Sequence, residues 1–278
     1  MKVDNITFKC HFVRRVRSPQ THEDVMPDGT TALFYWPNTV VDADALRAVA
    51  REEVRNNQLI RAAAEGNLDA ARVLHIGFWP FVVAFEGIID TRPIQRQPLQ
   101  KRFGDEVTMA ILRFARKEVE VMKEEEGSHA IAWRGDSFRL GITQAELDKA
   151  PYVPEVVRLI EMPQERNLDW FFCVLAGTEF IAEELSRYLV DSLPFTQLIR
   201  GGHWRWGEIH LADHHEGPSH LELDLDLARA YTVEEEDKAA AQQLSDYTLQ
   251  TIKQFGRAAD DVHQHFFGKA QHLTLAAG

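Results

Sequence analysis

The stretch LDWFFCVLAGTEFIAEELSRYLV, residues 168–190, holds 23 residues without a proline. Phe171, Val174, Leu175, Ala182, Leu185 and Leu189 recur on one face at helical spacing. Ala176, Glu179, Glu183, Ser186 and Val190 make another face, small and apolar except for two carboxylates. Apolarity over so much of its circumference predicts a helix packed inside a bundle. The same texture extends in both directions. Asp42 reads as an N-cap before Leu46, Val49, Ala50 and Val54, and a very apolar helix follows from Asp69 to Ile89, with Pro80 as an expected kink. TRPIQRQP, residues 91–98, breaks the pattern before a long helix from about Asp105 to Phe138, which Gly141 ends. Another helix begins near Glu155. Downstream, Gly201, Gly202 and Gly207 bracket a polar, aromatic stretch. Helix resumes from Pro218, and a last one carries Leu244, Tyr247, Thr251, Phe255, Val262 and Phe266 on one face. The expected architecture is all-α, a bundle of about seven helices in one domain over residues 41–278. Residues 1–40 differ. NITFKCHFV (5–13) and ALFYW (32–36) flank a turn-rich stretch with Pro27, Asp28 and Gly29, which predicts an N-terminal β hairpin or arm.

Composition narrows the function classes. The 278 residues carry 31 Lys plus Arg against 43 Asp plus Glu, a formal charge of −12, which disfavours nucleic acid as a general partner. A 45% hydrophobic content excludes a disordered chain. No run reaches the roughly 18 apolar residues of a membrane span. The N-terminus lacks the apolar core and cleavage site of a secretory signal, so the expected location is the cytoplasm. Cys10 and Cys173 are too few for a disulfide framework or a cysteine zinc site. No phosphate-cradling glycine loop or Gly-x-Ser-x-Gly elbow is present.

Three segments place ionisable side chains where apolar ones belong. In KEEEGSHAIAW, residues 123–133, the stripe Ile111, Ala115, Glu118, Met122, Glu126, His129, Trp133 is interrupted by carboxylates and one imidazole. Glu126 and His129, three apart, can meet on one ion, and Glu125 at i, i+4 is an equally reachable donor. The competing reading is a solvated acidic run. In AGTEFIAEEL, residues 176–185, Glu179 stands beside small residues that leave room for a metal or polar ligand, with Glu183 as an alternative. The competing reading puts both on a wet face. In HHEGPSHLELDLDLA, residues 214–228, His220 and Asp224 sit four apart and can chelate one ion or bridge two. Upstream, His210 and His214 form another i, i+4 pair and His215 is adjacent; all three could instead face solvent in a polar loop. Asp260 and His263 repeat the acid-x-x-His spacing, but on polar flanks.

In their order and spacing these segments resemble the haem-oxygenase-like diiron oxidases, the fold shared with the thiaminase-II (TenA) group and pyrroloquinoline-quinone synthase. The resemblance runs from about Asp69 to the C-terminus. EEEGSHAIAW followed by LGI (140–142) resembles that family's Glu…Gly…His…Leu-Trp…Leu-Gly block, AGTEFIAEEL its second-Glu helix, and HLELDLDLA its His-x-x-x-Asp-x-x-His-Ala block. The chain departs from the pattern at Leu227, where the family's last His usually stands, and in the short spacing of its first block.

The resemblance implies a seven-helix haem-oxygenase-like bundle in which Glu126, His129, Glu179, His220 and Asp224 hold one or two irons. Dioxygen would be used to oxidise a small amine, amino acid or fatty acid, with an external electron donor if one is needed. His215, His210, Glu125 and Glu183 are alternative ligands. Phe78, Trp79, Phe81 and Phe85 are expected to line the substrate pocket, and the homodimer is the family's usual assembly. Two other readings stand beside this one. The first is a metal-free TenA- or quinone-synthase-like enzyme using Glu and His as acid and base on a heterocycle or cofactor precursor. The second is a non-catalytic bundle that binds a partner protein through residues 203–215.

Overall fold

The computed structural model describes residues 22–25, 31–34, 41–212 and 219–275. Eleven α-helices are found among them: α1 (Ala43–Asn56), α2 (Gln58–Ala64), α3 (Leu68–Asp90), α4 (Arg96–Arg139), α5 (Gln144–Leu147), α6 (Pro154–Glu161), α7 (Leu168–Val190), α8 (Leu193–Leu198), α9 (Arg205–Leu211), α10 (His220–Tyr231) and α11 (Asp237–Leu275). The count exceeds the expected seven because four short helices, α2, α5, α8 and α9, join the long ones. A two-stranded antiparallel ribbon pairs His22–Val25 with Thr31–Phe34, placing His22 opposite Phe34. Residues 5–13, expected as a strand, lie outside the described residues.

Side-chain caps define several helix starts. The Asp42 carboxylate accepts from the Asp44 and Ala45 amides at 3.2 and 3.1 Å, and Asn57 and Asn67 cap α2 and α3 in the same way. The expected break at 91–98 is shorter than its composition suggests. Helix α4 already begins at Arg96, and the interruption falls at Gly104, whose φ of 76° only glycine adopts cheaply.

Helix α7 is the centre of the bundle, packed by α1, α9, α10 and α11. Gly177 sets the approach of α11. A Cβ there would come within 2.6 Å of the Thr251 Cβ and 3.0 Å of the Thr248 carbonyl oxygen. Ion pairs of Arg47 with Glu183 (3.1 Å) and Arg51 with Glu184 (2.9 Å) pin α1 across α7. Helix α3 is long and apolar enough to cross a membrane, yet 56% of its most apolar window is buried, against α2, α4, α6 and α11. Pro80 is accommodated within it. Helices α4 and α7 both pack against α10, and that meeting point carries the site.

Candidate metal centre

Each of these three helices turns ionisable groups inward. On α4, the stripe of Met122, Glu126, His129 and Trp133 is buried, so the carboxylate and imidazole point into the bundle rather than onto a wet face. On α7, Glu179 is buried between Ala176 and Ala182, whose small side chains leave it space. Helix α10 starts in a capping box: the Ser219 hydroxyl accepts from the Glu222 amide, and the Glu222 carboxylate accepts from the Ser219 amide, both at 3.2 Å. That box sets His220 in the first turn and Asp224 one turn further on, both buried.

The groups converge. Donor atoms of Glu126, Glu179 and His220 all lie within 4.8 Å of one another. Glu126 is held between two imidazoles, with Oε2 3.1 Å from His129 Nδ1 and Oε1 3.1 Å from His220 Nδ1. His220 Nε2 lies 2.6 Å from Glu125 Oε2, and its Nδ1 3.7 Å from Glu179 Oε1. With carboxylates on both ring nitrogens, His220 is an imidazolium donating from each. Burial alone would lower its pKa, but donation to Glu125 and Glu126 and the nearby Glu179 carboxylate hold it far above the ordinary histidine value. Burial likewise opposes ionisation of Glu126, and the hydrogen bonds of His129 and His220 outweigh it and hold this carboxyl below the usual range.

Asp224 is the exception. It is 0% exposed, and neither carboxylate oxygen has a hydrogen-bond partner. Burial, then the charge of Glu179, push its pKa well above the ordinary value. A buried polar group in this condition costs about 1–3 kcal/mol. Glu126 and Glu179 share one imidazole between them, and Asp224, pushed toward its neutral form, is buried without any partner. A cation resting between Glu126, Glu179 and His220 would supply the missing charge, so these three residues fit a metal ion, with Asp224 and His129 outside the set of donors that lie within 4.8 Å of one another.

The remaining candidates separate. His210 on α9 is half-buried, with its ring centroid 4.4 Å from that of His129 and 3.9 Å from that of Trp206. Glu183 pairs with Arg47 and does not join the cluster. His214 and His215 lie outside the described residues. Asp260 accepts from the Asn57 amide at 2.8 Å, and His263 packs on Phe267.

An apolar cleft of about 470 Å³, its open mouth included, has none of the cluster's ionisable side chains in its wall, although Trp133 follows His129 by one helical turn. Phe78 and Phe81 line it as expected, with Trp133, Trp206, Thr178 and Ala182, the last two flanking Glu179 along α7. Trp79 and Phe85 are not in its wall: on α3, Trp79 points about 100° away from Phe78, and Phe85 packs under Phe81 with centroids 5.4 Å apart. The stretch read as a partner-binding loop has its tryptophans inside, Trp204 at 0% and Trp206 at 8% exposure. Composition missed His75, fully buried and stacked 4.4 Å from Trp133, with Nδ1 3.0 Å from the Ser137 hydroxyl. Burial pulls its pKa down to about 3. The Cys173 thiol is sealed in the core, where burial pushes its pKa up and leaves it unsuited as a nucleophile.

No family profile matches the chain, and no curated protein does. Among solved structures, the chain is similar to a TenA homologue from Pseudomonas syringae pv. tomato, with a TM-score of 0.60 at 17% identity, covering 82% of this chain and 94% of that one. Apart from the short N-terminal ribbon, the fold of the described residues is therefore all-helical and TenA-like.

Proposed function

We propose that the chain is a non-haem iron oxidase or oxygenase, with Glu126, His129, Glu179, His220 and Asp224 as the residues that hold one or two irons. The observation that carries this reading is the orphaned carboxylate of Asp224 beside Glu179 in a buried cluster. Iron held by these donors would supply the redox chemistry for using dioxygen. The chain's own residues do the rest. To hold an ion, His220 would release to solvent one of its two ring protons, that on Nδ1 facing Glu126 or that on Nε2 facing Glu125. Phe78, Phe81, Trp133 and Trp206 exclude water from the cleft and hold the part of the substrate to be oxidised.

Those walls choose among substrates. The cleft is lined by no charged side chain, and its few polar groups include the Thr251 hydroxyl, which has no partner. An aliphatic chain, as in a fatty acid, suits it better than an amino acid. A second reading has its own support: His220 among three carboxylates is a complete acid–base constellation without any metal, and the neighbour in structure is a TenA homologue.

Oxygen uptake separates the two. Protein loaded anaerobically with Fe(II) is mixed with aerated buffer and a panel of fatty acids, amines and amino acids, alongside Glu179→Gln. The proposal expects substrate-dependent oxygen consumption, fastest with an aliphatic chain and absent in the variant. Uptake no faster than that of free iron, with every substrate, refutes it.

A further inference from the structure

We infer that the indoles of Trp206, Trp133 and Trp204 form a one-electron relay that drains oxidising equivalents from the metal centre into the cleft when no substrate is bound. The inference rests on the iron reading above and gives these three rings a function besides walling the cleft. Three of the chain's six tryptophans gather at one place, linked ring by ring to the buried cluster. Glu126 Oε2 lies 3.1 Å from His129 Nδ1. The His129 ring centroid lies 4.4 Å from that of His210, and the His210 centroid 3.9 Å from that of Trp206. Trp206 in turn stands 4.9 Å from Trp133 and 5.2 Å from Trp204. Ring follows ring, so an electron crosses the series in short hops between π-systems.

Packing alone does not account for these indoles. A buried indole N–H ordinarily finds an acceptor. Trp204 is 0% exposed, and its Nε1 has none. Nε2 of His75, whose ring stacks 4.4 Å from Trp133, is likewise buried without a partner. Phenylalanine or leucine would fill such a space and leave no polar atom unmet. The property kept here is one that they lack, a ring that gives up an electron readily. Two of the three indoles, Trp133 and Trp206, also face the cleft, whose open mouth admits small molecules.

The step balances without a proton. One electron leaves the Trp206 indole and passes through His210 and His129 to the oxidised centre, which is thereby reduced by one electron. An indole radical cation remains, and Trp133 and Trp204 share it by exchange. Trp133 keeps its Nε1 proton, because the His75 carbonyl that accepts it at 3.1 Å is no base. A small one-electron donor of the ascorbate class, entering the cleft, returns one electron to the ring and is itself oxidised by one. A substrate chain in the cleft covers the same two rings and takes the oxidation itself.

Freeze-quench electron paramagnetic resonance tests this without reference to turnover. Protein loaded anaerobically with Fe(II) is mixed with aerated buffer in the absence of substrate, with its tryptophan either ordinary or ring-deuterated. The wild type is compared with Trp206→Phe, Trp206→Tyr and Trp170→Phe, the last an indole outside the series that donates to the Met162 carbonyl. Bound iron is measured in each. The expected result is an organic radical in the wild type that narrows with deuterated tryptophan and that ascorbate quenches. It persists in Trp170→Phe, is lost in Trp206→Phe and returns in Trp206→Tyr, which keeps an oxidisable ring in place. A signal that persists in Trp206→Phe, or stays absent in Trp206→Tyr although iron is bound, overturns the inference. Oxygen consumption by iron-loaded wild type with no tryptophan radical overturns it too and leaves the iron reading standing. Wild type that binds no iron overturns the reading on which it rests.

Discussion

Replacing Asp224 by leucine should make the metal-free protein more stable while removing its response to metal. The two side chains have the same number of heavy atoms, so leucine methyls take the places of two carboxylate oxygens that are buried and without partners. Relieving an unsatisfied buried polar group is worth about 1–3 kcal/mol, and methyls in the same place add favourable burial. The attraction of Asp224 to His220 is lost, but burial and Glu179 outweigh it in the native protein. For a domain of this size 1 kcal/mol moves Tm by about 2–4 °C, so the variant should melt roughly 2–10 °C higher in the presence of a chelator. Wild-type protein should then gain stability on adding Fe(II), by about 2.7 kcal/mol at a hundredfold excess over Kd, and Asp224→Leu should gain little. Calorimetry with and without metal reads both effects. A metal-free variant less stable than wild type by about 1 kcal/mol or more would show that Asp224 makes a stabilising contact, and the argument from its orphaned oxygens would fail.

Glu179→Gln should abolish Fe(II) binding, while Glu183→Gln, which loses only a partly exposed pair with Arg47, should leave Kd nearly unchanged; equal losses in equilibrium dialysis would contradict the division between them. His75 is neutral in the fold, with a pKa of about 3 against an ordinary value near 6.5. The unfolded chain therefore binds the extra proton, and this contribution to stability, intact above about pH 6.5, falls by up to about 1.4 kcal/mol per pH unit between there and pH 3. Urea midpoints of wild type and His75→Gln should diverge in slope across that window, and parallel slopes would sink the claim. Gly177→Ala pushes a methyl into Thr251 and the Thr248 carbonyl and should cost about 1–3 kcal/mol, measured by chemical denaturation; an unchanged midpoint would mean that α7 and α11 separate freely.

The long helices were legible in the sequence because each repeats its apolar stripe over several turns; α7 begins and ends where its pattern does. Helices α2, α5, α8 and α9 were not, since four to seven residues offer under two turns of periodicity. The candidate residues stood out as polar groups on apolar stripes, which is how Glu126, His129, Glu179, His220 and Asp224, all buried, could be picked from three separate segments. What spacing could not decide was the competition between Glu125 and Glu126. Both reach His220, and that choice depends on how α10 crosses α4. The orphaned state of Asp224 is likewise a property of packing. Trp204 and Trp206 misled because glycines and histidines around them suggest a wet loop, whereas α9 folds both indoles into the core. In the cleft, Phe78 and Phe81 share one face of α3 and Trp79 does not, a distinction that needed the identity of the opposing helices.

The most direct test of the metal centre is an anaerobic equilibrium titration of chelator-treated protein with Fe(II), read as tightly bound iron per chain. The account predicts saturable binding of one or two irons that disappears in Glu179→Gln and Asp224→Leu. Protein that binds no iron, or binds it equally well after both replacements, would contradict it and leave the buried cluster to acid–base chemistry alone.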